Sequence, residues 1–597
     1  MKQTAILFTV FSLLTSLAGE SRAQSANEQQ LLTQTSETAD IMINYKQDID
    51  AIKRFYTPYG AESGYGWRNV VTQSSPEQMK RLKEVNELYL EKLDKKDFNG
   101  ISIYGKVDAI LLKRDITAAL GSLAAEEKEY QQISQYIPFA EEIYQLEKGR
   151  RRGLSVDGQQ VAALYAKLLK EIDAANVKLE KQANIDMKLA ERLKKSIEGL
   201  GLRLKSVYNF YYGYDPLFTW WIEQPQKVLA ARLEQYALAA VKKGEVKTTQ
   251  KADNSGIVGV PIGREEFIRQ LKTEMISYTP EELLDIANKE FEWCDREMLK
   301  ASKEMGFGTD WKKALEKVKN SYVPVGKQPE MILGLYNRSV DFVKSKDMIT
   351  LPPLAEETWG MIMMTPERQL VNPFFTGGRE ISISYPTNTM AHQDKLMSMR
   401  GNNPNFSFPT VQHELLPGHN LQYFMNSRSK AYRDGFETPF WTEGWSLYWE
   451  MLLYDKGFAV TPEEKVGMLF WRMHRCARII FSANYHLGKW TPQEAIDFLV
   501  DRVGHERANA EGEVRRSFTG GYGPLYQIAY LIGGLQFYAL EREMVESGKM
   551  TLKAYHDKVM QENNIPVEMV RAILTNQNLN INYQTNWKFY NQTPAKK

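Results

Sequence analysis

Cysteine is nearly absent. Two residues in 597, Cys294 and Cys476, exclude a disulfide framework and a thiolate metal site. They can form at most one bond, and two buried free thiols on separate helices is the competing reading. Beyond the first two dozen residues no apolar run reaches membrane-spanning length. No repeat of fixed period and no low-complexity tract occurs. Charge of one sign is also missing: the formal net charge is +2, which gives no electrostatic case for nucleic acid or an anionic membrane. Histidine is scarce, with seven in all, yet two of them fall within seven residues of each other.

The N-terminus reads as a signal peptide over residues 1–23. Lys2 is followed by a mostly apolar stretch from Ala5 to Ala18, and Ser21-Arg22-Ala23 ends in small residues. No cysteine follows the apolar stretch, which argues against a lipid anchor. The expectation is an exported protein, periplasmic or secreted, without stable membrane insertion after cleavage.

The remainder is patterned as helix. Ser75-Pro76-Glu77-Gln78 opens one long amphipathic run, and Val156 to Lys181 and Ile185 to Tyr208 read as two more. Thr279-Pro280-Glu281-Glu282, Thr461-Pro462-Glu463-Glu464 and Thr491-Pro492-Gln493-Glu494 each combine an N-cap Thr, Pro at the first helical position and Glu at the third. Lys242 to Ser255 is polar and reads as a linker between a helical region, 24–250, and a catalytic region, 251–597. The fold class expected is mainly α. One strand is expected, over Arg379-Glu380-Ile381-Ser382-Ile383-Ser384-Tyr385-Pro386, where the alternation has period two. Tyr208 to Trp221 is dense in aromatics and reads first as core, second as the lining of a peptide cleft.

The stretch with the most chemistry is His413-Glu414-Leu415-Leu416-Pro417-Gly418-His419. Two imidazoles and a carboxylate, followed by Glu443 and Glu450, make up the inventory of a zinc hydrolase. On a regular helix a six-residue step turns through about 600°, so the rings would diverge. Pro417-Gly418 can break the helix and let them converge. His413 and His419 are the candidate ligands of one zinc ion per chain. Glu414, next to the first ligand, is the candidate general base. Glu443 and Glu450 are two turns apart on one helix face, so one can ligate while the other orients a ligand. Gln422 can also hold a ring in place.

His413-Glu414-x-x-Pro417-Gly418-His419-x-x-Gln422 with Glu443-Gly444-Trp445-x-x-Tyr448-x-Glu450 resembles bacterial domain-of-unknown-function family 885. Tyr214-Asp215-Pro216-Leu217-Phe218 and His486-x-Gly488-x-Trp490-Thr491 extend the likeness over nearly the whole chain. The family's members resemble gluzincin zinc peptidases. The resemblance implies a two-lobed helical fold with a small β element beside the cleft, and Glu443 as third ligand with Glu450 behind it. It also implies that the strand flanks the cleft, where Ile383 and Tyr385 would pair with an extended peptide. A short hairpin packed on helices is the equal alternative. Gly521-Tyr522-Gly523-Pro524-Leu525-Tyr526 is similar to carboxypeptidase Taq.

An oxyanion donor is needed, and Tyr522, Tyr526 and His486 are the candidates. Arg515 or Arg516 would bind a substrate carboxylate. The function expected is a zinc metallopeptidase acting on short peptides as a carboxypeptidase or oligopeptidase. A zinc hydrolase of another amide or ester and a non-catalytic peptide-binding protein are the alternatives. No Gly-x-Met-Glu-Asn motif supports an aminopeptidase.

Overall fold

The computed structural model describes residues 35–58, 73–245, 253–371, 374–519 and 522–590. The expected signal peptide lies outside them, as does half of the expected linker. The described part is mainly α, as the patterning requires. Among the described residues no helix is long and apolar enough to cross a membrane. The chain divides into two compact units, Asp40–Gly100 with Leu111–Thr249, and Met1–Ala39 with Ile101–Ile110 and Gln250–Lys597.

In the first unit Gly158–Lys181 and Met187–Tyr211 both pack on Pro216–Lys242. Apolar residues recur at helical spacing: Tyr165, Leu168 and Ile172, then Leu193, Ile197 and Leu200, then Ile222 and Leu229, all fully buried. Each such side chain stabilises the fold by about 1.5–3 kcal/mol. The helix starts are capped by Asp157, Asp186 and Asp215, whose carboxylates accept from backbone N–H groups one turn on. Ile185–Asp186 and Gly244–Glu245 form a two-residue parallel pair.

The aromatic segment from Tyr208 to Trp221 is core on one face only. Tyr214 is 88% exposed and Trp220 80%, while Tyr211, Phe218 and Ile222 carry the burial. The reason is the helix start at Pro216: Tyr214 precedes it in the turn, and Leu217, Trp220 and Trp221 fall on its solvent side.

In the second unit all three Thr-Pro-x-Glu signals form reciprocal capping boxes, at Thr279, Thr461 and Thr491. The Pro462–His486 helix is buried on nearly every face and packs on Pro280–Glu304, Pro404–Glu414 and Tyr526–Glu541. Pro439–Asp455 lies against Tyr526–Glu541. Their backbones meet at Gly444 and Gly533: a Cβ on Gly444 would sit 2.6 Å from Gly533 Cα. Segment Ile101–Ile110 is held in this unit by Asp108, whose Oδ1 accepts from the fully buried Arg433 Nε at 2.7 Å. Cys294 and Cys476 are buried and free. Burial, and then a hydrogen bond to Cys294, push the Cys476 thiol well above its ordinary range.

The expected strand forms over Glu380–Ile383 and pairs in parallel with Gly360–Met363. Its partner lies twenty residues upstream, which no local pattern announces. Ser382 also bridges to Thr376 on the other side, with N–H to O distances of 2.8 and 3.1 Å. Ser382 is therefore engaged on both edges, and the chain itself occupies the place a peptide strand would take there.

Candidate metal centre and cavity

The Pro404–Glu414 helix stops at Glu414, because Leu415 (φ −105°, ψ −121°) leaves helical geometry. A new helix starts at His419 and runs to Asn426. The turn between them folds tightly, with Gly418 N donating to Gln412 O at 3.1 Å. A Cβ on Gly418 would overlap the backbone of Gln412 and His413, so only glycine fits. The break turns the two imidazoles toward each other, with ring centroids 4.7 Å apart and planes at 88°.

Glu443, from the Pro439–Asp455 helix, completes a buried group able to hold a metal ion. Its Oε2 lies 3.4 Å from His413 Nε2 and 3.3 Å from His419 Nε2. A tetrahedral cation with bonds of about 2.0–2.1 Å spaces its ligand atoms at about 3.3–3.4 Å. Oε2 accepts no hydrogen bond among the described residues although it is buried. The spacing and the orphaned oxygen both fit a cation at the centre of the three atoms.

The outer partners fix the rings. Glu450 Oε1 accepts from His413 Nδ1 at 2.6 Å, and Gln422 Oε1 accepts from His419 Nδ1 at 2.9 Å. Gln422 Nε2 donates to the carbonyls of Trp441 and Thr442, at 3.3 and 3.1 Å, which sets its amide so that the oxygen faces the histidine. Ser446 Oγ is 3.2 Å from His419 Nδ1. With Nδ1 protonated in both rings, both Nε2 lone pairs point inward. Trp445 Nε1 donates to Pro417 O at 2.9 Å and ties the turn to the helix that carries Glu443.

The electrostatics follow from burial and closeness. Burial opposes a charged His413, but Glu443 and Glu450 outweigh it and hold its pKa up at about 9 without metal. Burial would raise Glu443 too, but His419 and His413 hold it well below the ordinary range. Glu414 is pushed up by burial. Its Oε2 is 4.0 Å from His419 Nε2, near the group without joining it.

A cavity of about 280 Å³ opens on these residues. Besides His413, Glu414, His419 and Glu443, its lining includes Tyr522, Tyr526 and Arg516. The Tyr526 hydroxyl donates to Glu443 Oε1. Gly520 and Gly521, the start of the expected turn before Tyr522, lie outside the described residues. Four expected residues do not reach the cavity. His486 ends its helix about 12 Å beyond Arg478, with its ring against Phe267, Tyr485 and Phe518 and both nitrogens without a hydrogen-bond partner among the described residues. Burial depresses its pKa to about 4. Arg515 is exposed, a helix position away from the lining Arg516. Ile383 is buried in the strand, and Tyr385 follows it with its N–H on Gln369 Oε1. Phe374, Phe375, Thr376 and Gly377, from the segment that folds back on the strand, form the wall instead.

Sequence reasoning missed Arg475, Arg478, Tyr423 and Tyr530, which also line the cavity. Arg475 and Arg478 did leave a signal: two cations three residues apart in an otherwise apolar run, Cys476-Ala477-x-Ile479-Ile480-Phe481. The tyrosines left none.

The fold is shared with two solved structures. A candidate lipoprotein of unknown function from Shewanella oneidensis superposes with a TM-score of 0.64 at 16% identity, over 90% of this chain and 99% of that one. A candidate lipoprotein from Colwellia psychrerythraea gives 0.55 at 15% identity, over 90% and 98%. No curated protein sequence matches. Residues 57–574 match the family described as "Bacterial protein of unknown function (DUF885)", and with that span, which contains every residue of the candidate centre, the chain belongs to this family.

Proposed function

We propose that this protein is an exported, zinc-dependent metallopeptidase that hydrolyses short peptides as a carboxypeptidase or oligopeptidase. The observation that carries the reading is the spacing of His413 Nε2, His419 Nε2 and Glu443 Oε2 with the unligating Glu414 beside them. Two imidazoles and a carboxylate are a donor set suited to catalytic zinc, and a third ligand from a following helix is the gluzincin arrangement. Bound zinc supplies Lewis acidity, which lowers the pKa of water and polarises a carbonyl.

The chain's own residues do the rest. Glu414, with its raised affinity for protons, takes the proton of the attacking water and returns it to the leaving amine. Glu450 and Gln422 hold the imidazoles in the ligating tautomer. Tyr526 steadies Glu443, and the Tyr522 hydroxyl on the same wall serves as oxyanion donor. Export is supported by the N-terminal pattern of the sequence and by the candidate lipoprotein status of both structural neighbours.

The experiment is a mass-spectrometric digest of a mixed peptide library by the purified, zinc-supplemented chain, with and without a chelator. Chelator-sensitive cleavage is expected. Absence of any cut, with zinc shown to be bound at one per chain, would overturn the peptidase reading in favour of another zinc hydrolase or a binding protein.

A further inference from the structure

Arg475, Arg478 and Arg516 line the cavity together. The first two are three residues apart on the Pro462–His486 helix and share a face. They are 5% and 2% exposed. Their carboxylate partners are shared. Arg478 Nε donates to Glu513 Oε1 at 2.7 Å, and Arg516 Nε lies 3.0 Å from Glu513 Oε2. Arg475 Nη2 reaches only Glu450 Oε1, at 3.5 Å, an oxygen that already accepts from His413. Glu513 therefore faces two guanidiniums at once.

Donors are also left over. Arg475 Nε and Arg478 Nη1 are buried and have no hydrogen-bond partner among the described residues. Such donors are uncommon in folded proteins, and a guanidinium fork matches a carboxylate in shape and charge. Both guanidiniums lie 4.4 Å from the centroid of the Tyr530 ring, which is 6.1 Å from that of His413. They are within about three residues of extended peptide from that imidazole.

We propose that Arg475, Arg478 and Arg516 form a carboxylate-binding subsite beside the metal centre. Its ligand is either the free C-terminus of a peptide or an acidic side chain close to the bond that is cut. That the ligand is a substrate rests on the peptidase reading above; the binding itself does not.

The test is therefore binding to the metal-free mature chain, followed by calorimetry. N-acetylphenylalanine carries an α-carboxylate, N-acetylphenylalaninamide carries none, and N-acetylglutamic acid α-amide carries only a side-chain carboxylate. The acid is expected to bind at least tenfold more tightly than the Phe amide. Arg475→Gln and Arg478→Gln are each expected to lose tenfold or more, with partial recovery in Arg478→Lys. Binding of the Glu α-amide more tightly than the acid assigns the subsite to acidic side chains, equal binding shows that it takes either carboxylate, and binding at the level of the Phe amide assigns it to a C-terminus. Equal binding of acid and amide by the wild type, or binding of neither, overturns the subsite, and this comparison stands even where a variant fails to fold. A digest of free and amidated peptides by the zinc-loaded chain separates the two readings. No cleavage while the acid still binds defeats the peptidase and leaves the subsite. Cleavage indifferent to amidation, with equal binding, does the reverse.

Discussion

Glu414 and Glu443 bring two carboxylates into one cavity, and their surroundings drive them apart. Glu443 faces two imidazoles and stays ionised, whereas Glu414 is buried and drawn toward its protonated form. Divergent environments of this kind suit the ligand and base roles proposed for them. Glu443→Ala should abolish stoichiometric zinc, while Glu414→Gln should retain zinc and lose turnover; metal analysis beside kcat reads both. Glu450→Ala should keep zinc but bind it about 10–100-fold more weakly, because the group that orients the His413 ring is removed and the proposed ligands stay. Loss of zinc from Glu450→Ala with full retention in Glu443→Ala would reverse the two roles. Tyr522→Phe should lower kcat by about 10²–10³ with little change in KM, the usual cost of one oxyanion donor. An unchanged kcat would remove Tyr522 from the chemistry.

At the scale of elements, the site depends on two close approaches. One is the crossing of Pro439–Asp455 with Tyr526–Glu541, which places Glu443 and Tyr526 in reach of each other. A side chain at Gly444 or Gly533 meets backbone rather than a movable side chain. Gly444→Ala should therefore destabilise the chain by about 1–3 kcal/mol, as overpacking does. Gly334, in the Gln328–Ser345 helix, is the control: it is exposed, with nothing within 4 Å of an added Cβ. Gly334→Ala should stabilise by about 0.5–1 kcal/mol through helix propensity. Thermal unfolding of the two variants should move Tm in opposite directions; a shared direction would refute the packing account. The second approach is the turn at Pro417-Gly418, which joins two short helices and so aims two imidazoles from one stretch of chain at each other.

For the molecule as a whole, acid stability should be set by buried neutral histidines. Burial depresses His486 to about 4 and His505 and His556 each to about 3, and it takes His474 well below its ordinary value. In the unfolded chain all four titrate near 6.5. Between pH 6.5 and about 4 the unfolded state thus binds protons that the folded state refuses, and stability falls as pH falls. A tenfold difference in a ring's acid constant between the folded and unfolded chain corresponds to about 1.4 kcal/mol. The urea midpoint of the metal-free chain should drop steeply from pH 7 to pH 5, with net proton uptake on unfolding. A flat midpoint over that window would show that these rings are not held neutral.

Much of the local architecture was written in the sequence. Thr-Pro-x-Glu signals predicted three capping boxes because a cap involves residues three apart, and the Pro-Gly step predicted a break between His413 and His419 for the same reason. The pairing of His413, Glu414 and His419 was legible because all three lie on one short stretch. What was not legible depends on elements meeting in space. Glu443 and Glu450 share a helix face, and only the approach of that face to the 413–419 turn sets one carboxylate against both Nε2 atoms and the other against Nδ1. Arg475 and Arg478 became cavity residues because their helix is buried against three others, which no local spacing records. Tyr214 and Trp220 turned outward, and His486 fell beyond the cavity, because helix phase and length are decided by packing. Local hydrogen bonding and side-chain chemistry determined the donor types; tertiary packing decided which of them face one another.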